Sequence, residues 1–206
     1  MAREGAAEGL WLRAERQTGG KGRRGRAWLS PPGNLYASTL IRLAPGDPPA
    51  PTLALVAAVA LHEAVRPYAP NVLIKWPNDL LVDGAKLAGI LLEREGEAVI
   101  AGFGVNLANH PHDLDRPADD LAGQVAPATF LAAFAPIFAA WLSRWRDEGL
   151  VPVRAAWLAA AHPVGTPLTS GEVSGRFDGL DETGALRLRL EDGSLRVVHA
   201  GDVFLL

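Results

Sequence analysis

Between residues 72 and 109 the chain is a run of short apolar segments separated by turn signals, and this pattern leaves few folds open. The segments read VLIKW, LLV, KLAGILLE and AVIAGFGVNLAN, and the breaks between them contain Pro-Asn-Asp, Asp-Gly and Arg-Glu-Gly-Glu. Short apolar runs bounded by turn residues are typical of β-strands, and an Asp-Gly pair between two of them favours a tight hairpin. The sequence therefore predicts neighbouring, mainly antiparallel strands in the middle of the chain.

Segments of helical and extended character flank this predicted sheet. Residues 9–16 (GLWLRAER) and 34–43 (NLYASTLIRL) have the composition of strands, the second being rich in Tyr, Thr and Ile. The Ala- and Leu-rich stretch at 52–69 predicts a buried helix beside the strands. Residues 127–149 predict another helix, which Pro136 should kink or split because proline removes a backbone hydrogen-bond donor.

The two ends of the chain differ in character from the middle. Residues 2–8 are interpreted as the end of a helix, and residues 151–161 predict a short helix. After His162 the chain becomes a series of short segments separated by SGE, DETG and EDGS, and ALRLRL alternates with period two. We therefore predict an α+β fold in two domains. Residues 1–162 hold the mainly antiparallel sheet with its flanking helices, and residues 163–206 form a small β-barrel.

Composition restricts the class of protein. The 206 residues include 20 Lys and Arg against 23 Asp and Glu, for a formal net charge of −3, and no cysteine. The lack of cysteine excludes disulfides, thiolate metal sites and a cysteine nucleophile. The first residues have no apolar run behind a basic head, and the longest apolar run, 49–61, is too short to cross a bilayer. We therefore expect a cytoplasmic protein with no membrane partner.

A glycine-rich basic stretch, GGKGRRGR at residues 19–26, stands out against this acidic background. Glycines alternate with cations in it, so backbone N–H groups can approach a ligand that the side chains also hold. The stretch lacks the spacing of a P-loop, and no helix follows it. A solvated surface loop is the alternative, but the alternation favours a loop that binds phosphate or carboxylate.

Polar residues in the strand region are further candidates for a site. Asn78 and Asp79 lie in the turn that interrupts the β-run, and Lys86 begins a segment that is otherwise apolar. Asn106 follows a strand end, where binding residues are common. Each has a structural alternative, because Asn and Asp favour turns and a lysine at a strand end can extend into solvent.

Taken together, RQTGGKGRRGRAW, KWPNDLLVDGAKLAGILLE and GFGVNLAN resemble, in order and spacing, the biotin protein ligases. The resemblance is strong from about residue 10 to 109, and GRFDGLDETGALRLRLEDG is similar to the small terminal domain of that family. It implies an enzyme that uses ATP and Mg²⁺ to convert biotin into biotinyl-5′-AMP and pyrophosphate. The biotin then passes to one lysine of a biotin carboxyl carrier protein.

The resemblance also implies roles for individual residues. The residues matched to biotin and adenylate contacts are Gln17, Gly20, Lys21, Gly22, Arg23, Lys86 and Gly89, with Lys21 in place of the usual arginine. Those matched to ATP contacts are Arg26, Trp28, Asn78, Lys86 and Asn106. Lys86 and Arg23 would stabilise the charge that develops at phosphorus. Asp79 would either hold Mg²⁺ or orient the acceptor amine.

One segment of the family is expected upstream of this chain. It contains Ser-Thr-Asn, contributes to the biotin pocket and precedes the helix assigned to residues 2–8. We therefore expect an N-terminally short form with weakened biotin binding. There is also no room before residue 9 for a helix-turn-helix, so we expect the form without DNA-binding activity. The sequence leaves the oligomeric state open.

Three other functions stay open at this point. A lipoate ligase or octanoyltransferase has the same fold, and a non-catalytic module could keep biotin or nucleotide binding alone. A nucleic-acid binder using residues 21–26 is less favoured by the net charge of −3. His110 and His112 suggest a metal site only weakly, since no third ligand is evident.

Overall fold

The computed structural model describes residues 5–111 and 116–205. Its strands are β1 (Trp11–Ala14), β2 (Leu35–Arg42), β3 (Leu73–Lys75), β4 (Asp79–Val82), β5 (Ala85–Glu95), β6 (Ala98–Val105), β7 (Pro167–Ser170), β8 (Val173–Leu180), β9 (Leu186–Arg189), β10 (Leu195–Val198) and β11 (Val203–Leu205). Its α-helices are α1 (Leu53–Val65), α2 (Pro127–Glu148) and α3 (Leu150–Ala159), with 3₁₀ turns at Arg23–Gly25 and Ala50–Thr52. The predicted α+β class is confirmed.

Six strands form the first sheet in the order β1-β2-β6-β5-β4-β3, and every neighbouring pair is antiparallel. The Asp-Gly pair forms the turn between β4 and β5, where Asp83 has φ 49° and Gly84 has φ 83°. Two successive residues with positive φ are what a tight hairpin turn requires. The antiparallel arrangement predicted for the middle of the chain is therefore confirmed.

The helices cover one face of this sheet. Along β6, Val99, Ala101, Phe103 and Val105 are buried, whereas the residues between them point to the other face. The Phe103 ring lies 4.9 Å from the ring of Phe134 on α2, and α1 packs against both α2 and β5. The apolar core therefore lies between sheet and helices, and the opposite face of the sheet is left to form the wall of a cavity.

Helix α2 runs unbroken through Pro136, so the predicted split of this helix is wrong. Proline leaves the carbonyl of Ala132 without its usual donor. Both residues are exposed, so water can satisfy that carbonyl at little cost. The opposite side of the helix carries buried aromatic residues, and their packing holds the helix together.

Among the described residues, α2 is the one helix long and apolar enough to cross a membrane by length and composition. The core helix of a soluble protein passes the same test, so this is weak evidence for a membrane span. Phe130, Phe134, Phe138, Leu142 and Trp145 are buried along one side, at the spacing of a helix packed on a core. The expected absence of a membrane partner stays a prediction.

The N-terminal residues differ from the predicted helix end. Residues 2–4 lie outside the described part of the chain, and residues 5–8 form turn and irregular structure. Gly5 and Gly9 have φ of 75° and 78°, which is left-handed rather than helical. The Glu8 carboxylate accepts a hydrogen bond from the backbone of Arg42 at 2.9 Å and pairs with Arg146 at 2.7 Å. These contacts hold the segment against β2 in a non-helical path.

The C-terminal strands form a second antiparallel sheet in the order β10-β9-β8-β7-β11. The short strands predicted after His162 are present and number five in the described residues. Within the described residues β10 and β11 do not pair with each other, so the expected barrel is not closed by backbone hydrogen bonds.

Helix α3 joins the two sheets. Arg154 donates hydrogen bonds to the carbonyls of Leu180 and Asp181 at the end of β8, the second at 2.7 Å. On the other side, the backbone N–H of Ile74 donates to Ala160 O at 2.8 Å, which ties the end of α3 to the edge of the first sheet. The domain boundary near His162 stays a prediction.

Candidate active site

A cavity of about 500 Å³ lies between the basic loop at 19–26, strands β4 to β6 and the Asp202–Val203 segment of the second sheet. A cavity of this volume suits a small-molecule ligand. The predicted site residues that line it are Gln17, Lys21, Gly22, Arg23, Arg26, Trp28, Asn78, Asp79, Lys86, Gly89 and Asn106. The fold thus brings together residues that lie up to 89 positions apart in sequence, from Gln17 to Asn106.

Gly20 is the predicted site residue that does not line the cavity. Its carbonyl accepts the backbone N–H of Trp28 at 2.9 Å. A Cβ at this position would lie 2.5 Å from Trp28 O and 2.7 Å from both Gln17 Oε1 and Ser30 Oγ. Gly20 therefore allows the base of the loop to close, and its predicted contact with biotin stays a prediction.

The basic loop is folded back on itself as a small hairpin. Lys21 and Ala27 form an isolated antiparallel bridge, and the Gly22 N–H donates to Arg26 O at 2.7 Å. At the tip, Arg24 and Gly25 have φ of 56° and 72°, which turns the chain tightly. The hairpin brings the loop's cations to the mouth of the cavity.

Arg23 connects the basic loop to both sheets. Its Nη1 atom donates to Gly201 O at 3.0 Å and to Asn78 Oδ1 at 3.3 Å. Arg23, Arg24 and Arg26 also lie 3.4, 3.7 and 3.1 Å from the carboxylate of Asp202. Asp202 was not predicted from the sequence, because it lies 176 positions after the last loop arginine, Arg26, and in no recognisable pattern.

Lys86 reaches the cavity because of a β-bulge between β4 and β5. The register passes from Leu80 opposite Ala88 to Leu81 opposite Lys86, so Leu87 is the extra residue. A bulge changes which face the following side chains point to. Leu87 and Ala88 are both buried in the core, while Lys86 lies across the cavity face, 3.3 Å from where a Cβ of Gly89 would be.

Lys86 is not the lone cation that the sequence suggested. Its Nζ atom donates to Asp79 Oδ1 at 2.6 Å, and Lys75 Nζ lies 3.3 Å from Asp79 Oδ2. The side chains of Lys75 and Asp79 are 10% and 11% exposed, against 35% for Lys86. Lys86 is therefore the lysine that can move toward a ligand, and Lys75 is the one that stays with Asp79.

Burial lowers the pKa of Lys75, and the nearby positive charges of Lys86 and Arg116 lower it further, while Asp79 acts in the opposite direction. Lys75 lies within the K-W-P-N-D segment, but nothing in the sequence pattern indicates a role for it. Its partner on β4 is close in sequence, yet only the sheet register places both oxygens of Asp79 between two ammonium groups.

Trp28 lies flat against a part of the sheet that has no side chains. Gly89 and Gly104 are opposite each other on β5 and β6. A Cβ on Gly104 would lie 2.6 to 2.8 Å from three atoms of the indole, and one on Gly89 would lie 3.1 Å from it. The Lys86 ammonium is 5.4 Å from the ring. Within the described residues the buried indole Nε1 has no hydrogen-bond partner, so a donor is available in the cavity wall.

We expect Gly104→Ala to displace Trp28, because the new methyl group and the indole cannot both occupy the same space. Overpacking of this kind typically costs about 1–3 kcal/mol of stability, and an indole moved off the cavity wall should lower ligand affinity by roughly tenfold if it loses contacts worth about 1.4 kcal/mol. Calorimetry in a double-mutant cycle tests the cause. In a Trp28→Ala background the same glycine substitution should cost little, and an equal cost in both backgrounds would contradict this explanation.

Asn106 is 4% exposed at the floor of the cavity. Its amide nitrogen donates to Asp119 O at 3.0 Å and to Lys86 O at 3.3 Å. These bonds hold the 116–121 segment against β5 and leave the amide hydrogens of Asn106 occupied. The nucleotide contact of Asn106 stays a prediction. Because its amide hydrogens are occupied, the side-chain carbonyl oxygen is the atom left to make that contact.

Of the two histidines considered as metal ligands, the structure describes His110, whereas His112 lies outside the described residues. His110 Nδ1 is 2.6 Å from Asp120 Oδ2, and ligand atoms of His110, Asp119 and Asp120 lie within 4.8 Å of one another. Backbone N–H groups already donate to both aspartates, at 2.8 Å for Asp119 and 2.7 Å for Asp120. These contacts account for the cluster within the described residues 110–111 and 116–122.

Comparison with known proteins finds relatives along nearly the whole chain. The chain is 39% identical to the biotin–[acetyl-CoA-carboxylase] ligase of Paracoccus denitrificans, covering 97% of this chain and 92% of that protein. It is 32% identical to the bifunctional ligase/repressor BirA of Bacillus subtilis, covering 98% of this chain and 68% of that protein. Its fold matches the biotin protein ligase of Aquifex aeolicus in complex with biotin and ATP, with a TM-score of 0.88 at 25% identity over 98% of this chain and 91% of the other.

Two family matches divide the chain in the same way as its sheets. Residues 164–206 match the biotin protein ligase C-terminal domain. Residues 5–107, which hold the basic loop, Asp79 and Lys86, match the biotin/lipoate A/B protein ligase family. On this match and on the identity to the Paracoccus ligase, the chain belongs to the biotin/lipoate A/B protein ligase family.

Proposed function

We propose that the chain is an ATP-dependent ligase that converts biotin into biotinyl-5′-AMP and transfers it to a lysine of a biotin carboxyl carrier protein. The observation that carries the proposal is the convergence of Arg23 and Lys86 on one cavity whose wall is an indole over two glycines. A flat apolar wall suits the ring and chain of biotin, and the two cations suit a carboxylate next to a phosphate.

Lys86 and Arg23 are the groups we assign to the first step. An oxygen of the biotin carboxylate attacks the α-phosphorus of ATP, and the bond from that phosphorus to the bridging oxygen breaks to release pyrophosphate. Negative charge is concentrated at phosphorus and on the leaving group as this happens. Cations at the reacting centre stabilise such charge, and the bulge at Leu87 and the backbone contact of Arg23 with Gly201 bring the two side chains to the cavity.

Asp79 is assigned to the second step. In that step the acceptor amine attacks the carbonyl carbon of biotinyl-AMP, an amide bond forms, AMP leaves and the amine loses a proton. The Asp79 carboxylate already holds the ammonium groups of Lys75 and Lys86. An incoming lysine has the same chemistry, so it can take the place of Lys86 once that side chain has turned to the phosphate.

Asp79 fits poorly as a ligand for Mg²⁺. Each of its oxygens faces an ammonium group, at 2.6 and 3.3 Å, and a divalent cation would be repelled by both. Mg²⁺ is commonly held through substrate phosphates and water with few carboxylates. We therefore propose Mg²⁺ as a companion of the nucleotide and assign no residue of this chain to it.

Biotin is favoured over lipoate or octanoate by the match of residues 164–206 and by the relatives, which are biotin ligases. We propose a carboxylase subunit as acceptor because that is the substrate class of the Paracoccus relative. The cytoplasmic location, the absence of a nucleic-acid partner and the oligomeric state stay predictions.

Release of pyrophosphate from ATP tests the first step without an acceptor. The chain should release pyrophosphate when biotin is added and should not do so with lipoate or octanoate. Equal release with lipoate would assign the cavity to the other branch of the family. A chain that binds biotin and ATP without releasing pyrophosphate would be a non-catalytic binding module.

A further inference from the structure

Residues 201–204, at and just before β11, contact the first sheet and its basic loop, and two of them, Asp202 and Val203, line the cavity. The Gly201 carbonyl accepts a hydrogen bond from Arg23, and Val203 lines the cavity wall. The ring of Phe204 lies 3.9 Å from the Arg116 guanidinium and 5.9 Å from Lys75 Nζ. This strand segment is therefore anchored on both sides of Asp202, which fixes the position of its carboxylate.

Asp202 is the acidic partner of the basic loop. In the part of the chain that the structure describes, Arg23, Arg24 and Arg26 each form an ion pair with this carboxylate and with no other acidic side chain. The Asp202 side chain is 15% exposed and that of Arg23 is 25% exposed, so their attraction is only partly screened by water. Arg24 and Arg26 are 68% and 49% exposed, and their pairs with Asp202 are accordingly weaker.

A carboxylate in this position competes with a bound phosphate for the same donors. The Arg23 guanidinium cannot pair equally well with Asp202 and with a ligand on the cavity side at the same time. The Asp202 carboxylate and the bound phosphate would also repel each other at short range. A singly charged anion offers the arginines no more attraction than Asp202 does. A triphosphate or pyrophosphate carries several charges and can displace it.

We infer that Asp202 is an internal counter-ion, which holds the arginines of the basic loop in the empty site and is displaced by the polyphosphate of the nucleotide. The inference rests on the proposed function, because it takes a nucleotide as the displacing ligand. The loop is thereby closed without ligand, and its affinity is biased toward highly charged anions over singly charged ones. A purely structural Asp202 would instead hold the arginines ready for the ligand and would strengthen binding.

Binding of inorganic pyrophosphate and inorganic phosphate to the full chain separates the two roles by the sign of the effect. Asp202→Asn should tighten pyrophosphate binding about three- to tenfold, since one competing charge is removed. The gain in affinity should be larger for inorganic phosphate, so the preference for pyrophosphate over phosphate should decrease. Trypsin should cleave the empty variant after Arg23 and Arg24 several times faster than the parent, because the loop has lost its anchor.

Two variants keep the test specific. Asp202→Glu keeps the charge and should bind pyrophosphate like the parent. Asp192→Asn makes the same change in net charge at the exposed β9–β10 turn, where the side chain contacts Ser194, and should change neither affinity nor cleavage. Thermal unfolding of each variant verifies that it is folded.

Weaker or unchanged pyrophosphate binding by a folded Asp202→Asn variant would overturn the inference, and so would an undetectable affinity in both parent and variant. These measurements need neither biotin nor turnover. The Asp202→Asn variant could bind pyrophosphate more tightly while the parent releases no pyrophosphate from biotin and ATP. That result would support the counter-ion role of Asp202 and reject the proposed function.

Discussion

Lys86→Ala is expected to lower the rate of pyrophosphate release from biotin and ATP by about 100-fold or more while leaving the protein folded. Removing one donor that stabilises transition-state charge costs about 2.7–4 kcal/mol in well-studied cases. The Lys86 ammonium is the more exposed of the two bound to Asp79, so it is the one free to turn to the ligand. Single-turnover measurement of pyrophosphate release tests this.

Arg94→Ala is the matched control for this substitution. Arg94 is a cation on the same strand, β5, but it does not line the cavity, and its exposed side chain pairs with Glu97 and contacts Gly96 O. Its removal should leave the rate within about twofold of the parent, as expected for an exposed pair worth less than about 1 kcal/mol. If the folded Lys86→Ala variant released pyrophosphate at the parental rate, the role assigned to Lys86 would be wrong.

Asp79→Asn is expected to lower the free energy of unfolding by about 3 kcal/mol near neutral pH. Breaking a buried ion pair from one side leaves the other charge uncompensated, which typically costs about 3–5 kcal/mol. Lys75, 8% exposed as a whole residue, would lose the Asp79 carboxylate as its ion-pair partner, while the more exposed Lys86 can be hydrated. Urea unfolding of the variant against the parent measures the loss.

The loss should shrink as the pH is raised. Burial lowers the pKa of Lys75 in the folded protein, and Asp79 opposes that shift. Without the carboxylate the folded pKa falls further below the unfolded value. Between those two values the unfolded chain binds more protons, so stability rises with pH. The deficit should therefore be smaller at alkaline pH than at pH 7. The same deficit at both values would show that the uncompensated Lys75 charge is not its cause.

Local patterns in the sequence were sufficient for most of the elements. The Asp-Gly turn at 83–84 predicted the β4–β5 hairpin because two positive φ angles there need residues that tolerate them. The two errors occurred where tertiary contacts override local preference. Pro136 does not split α2 because the unpaired carbonyl of Ala132 is on an exposed side of the helix and the opposite side is packed in the core. Residues 5–8 are not helical because Glu8 is held by Arg42 and Arg146.

The candidate site was predictable to the extent that its residues lie in contiguous segments. The basic loop, K-W-P-N-D and K-L-A-G-I-L each carry a recognisable pattern, and all three border the cavity. The partners of those residues were not predictable. Asp202 meets the loop only through the packing of the second sheet, and the bulge at Leu87 brings Lys86 to Asp79 through a change of register. The role of Gly20 stays a prediction, because a glycine needed for loop closure has the same sequence pattern as one that contacts a ligand.

The mass of a biotin carboxyl carrier protein after incubation with this chain, biotin, ATP and Mg²⁺ tests the account most directly. The account predicts a gain of one biotinyl group per carrier, absent when ATP is omitted and absent from a carrier whose acceptor lysine is replaced by arginine. The Lys86→Ala variant should give no measurable gain in the same time. A carrier whose mass is unchanged after incubation with the folded parent chain and both ligands would contradict the account, and so would a gain that persists with the substituted carrier.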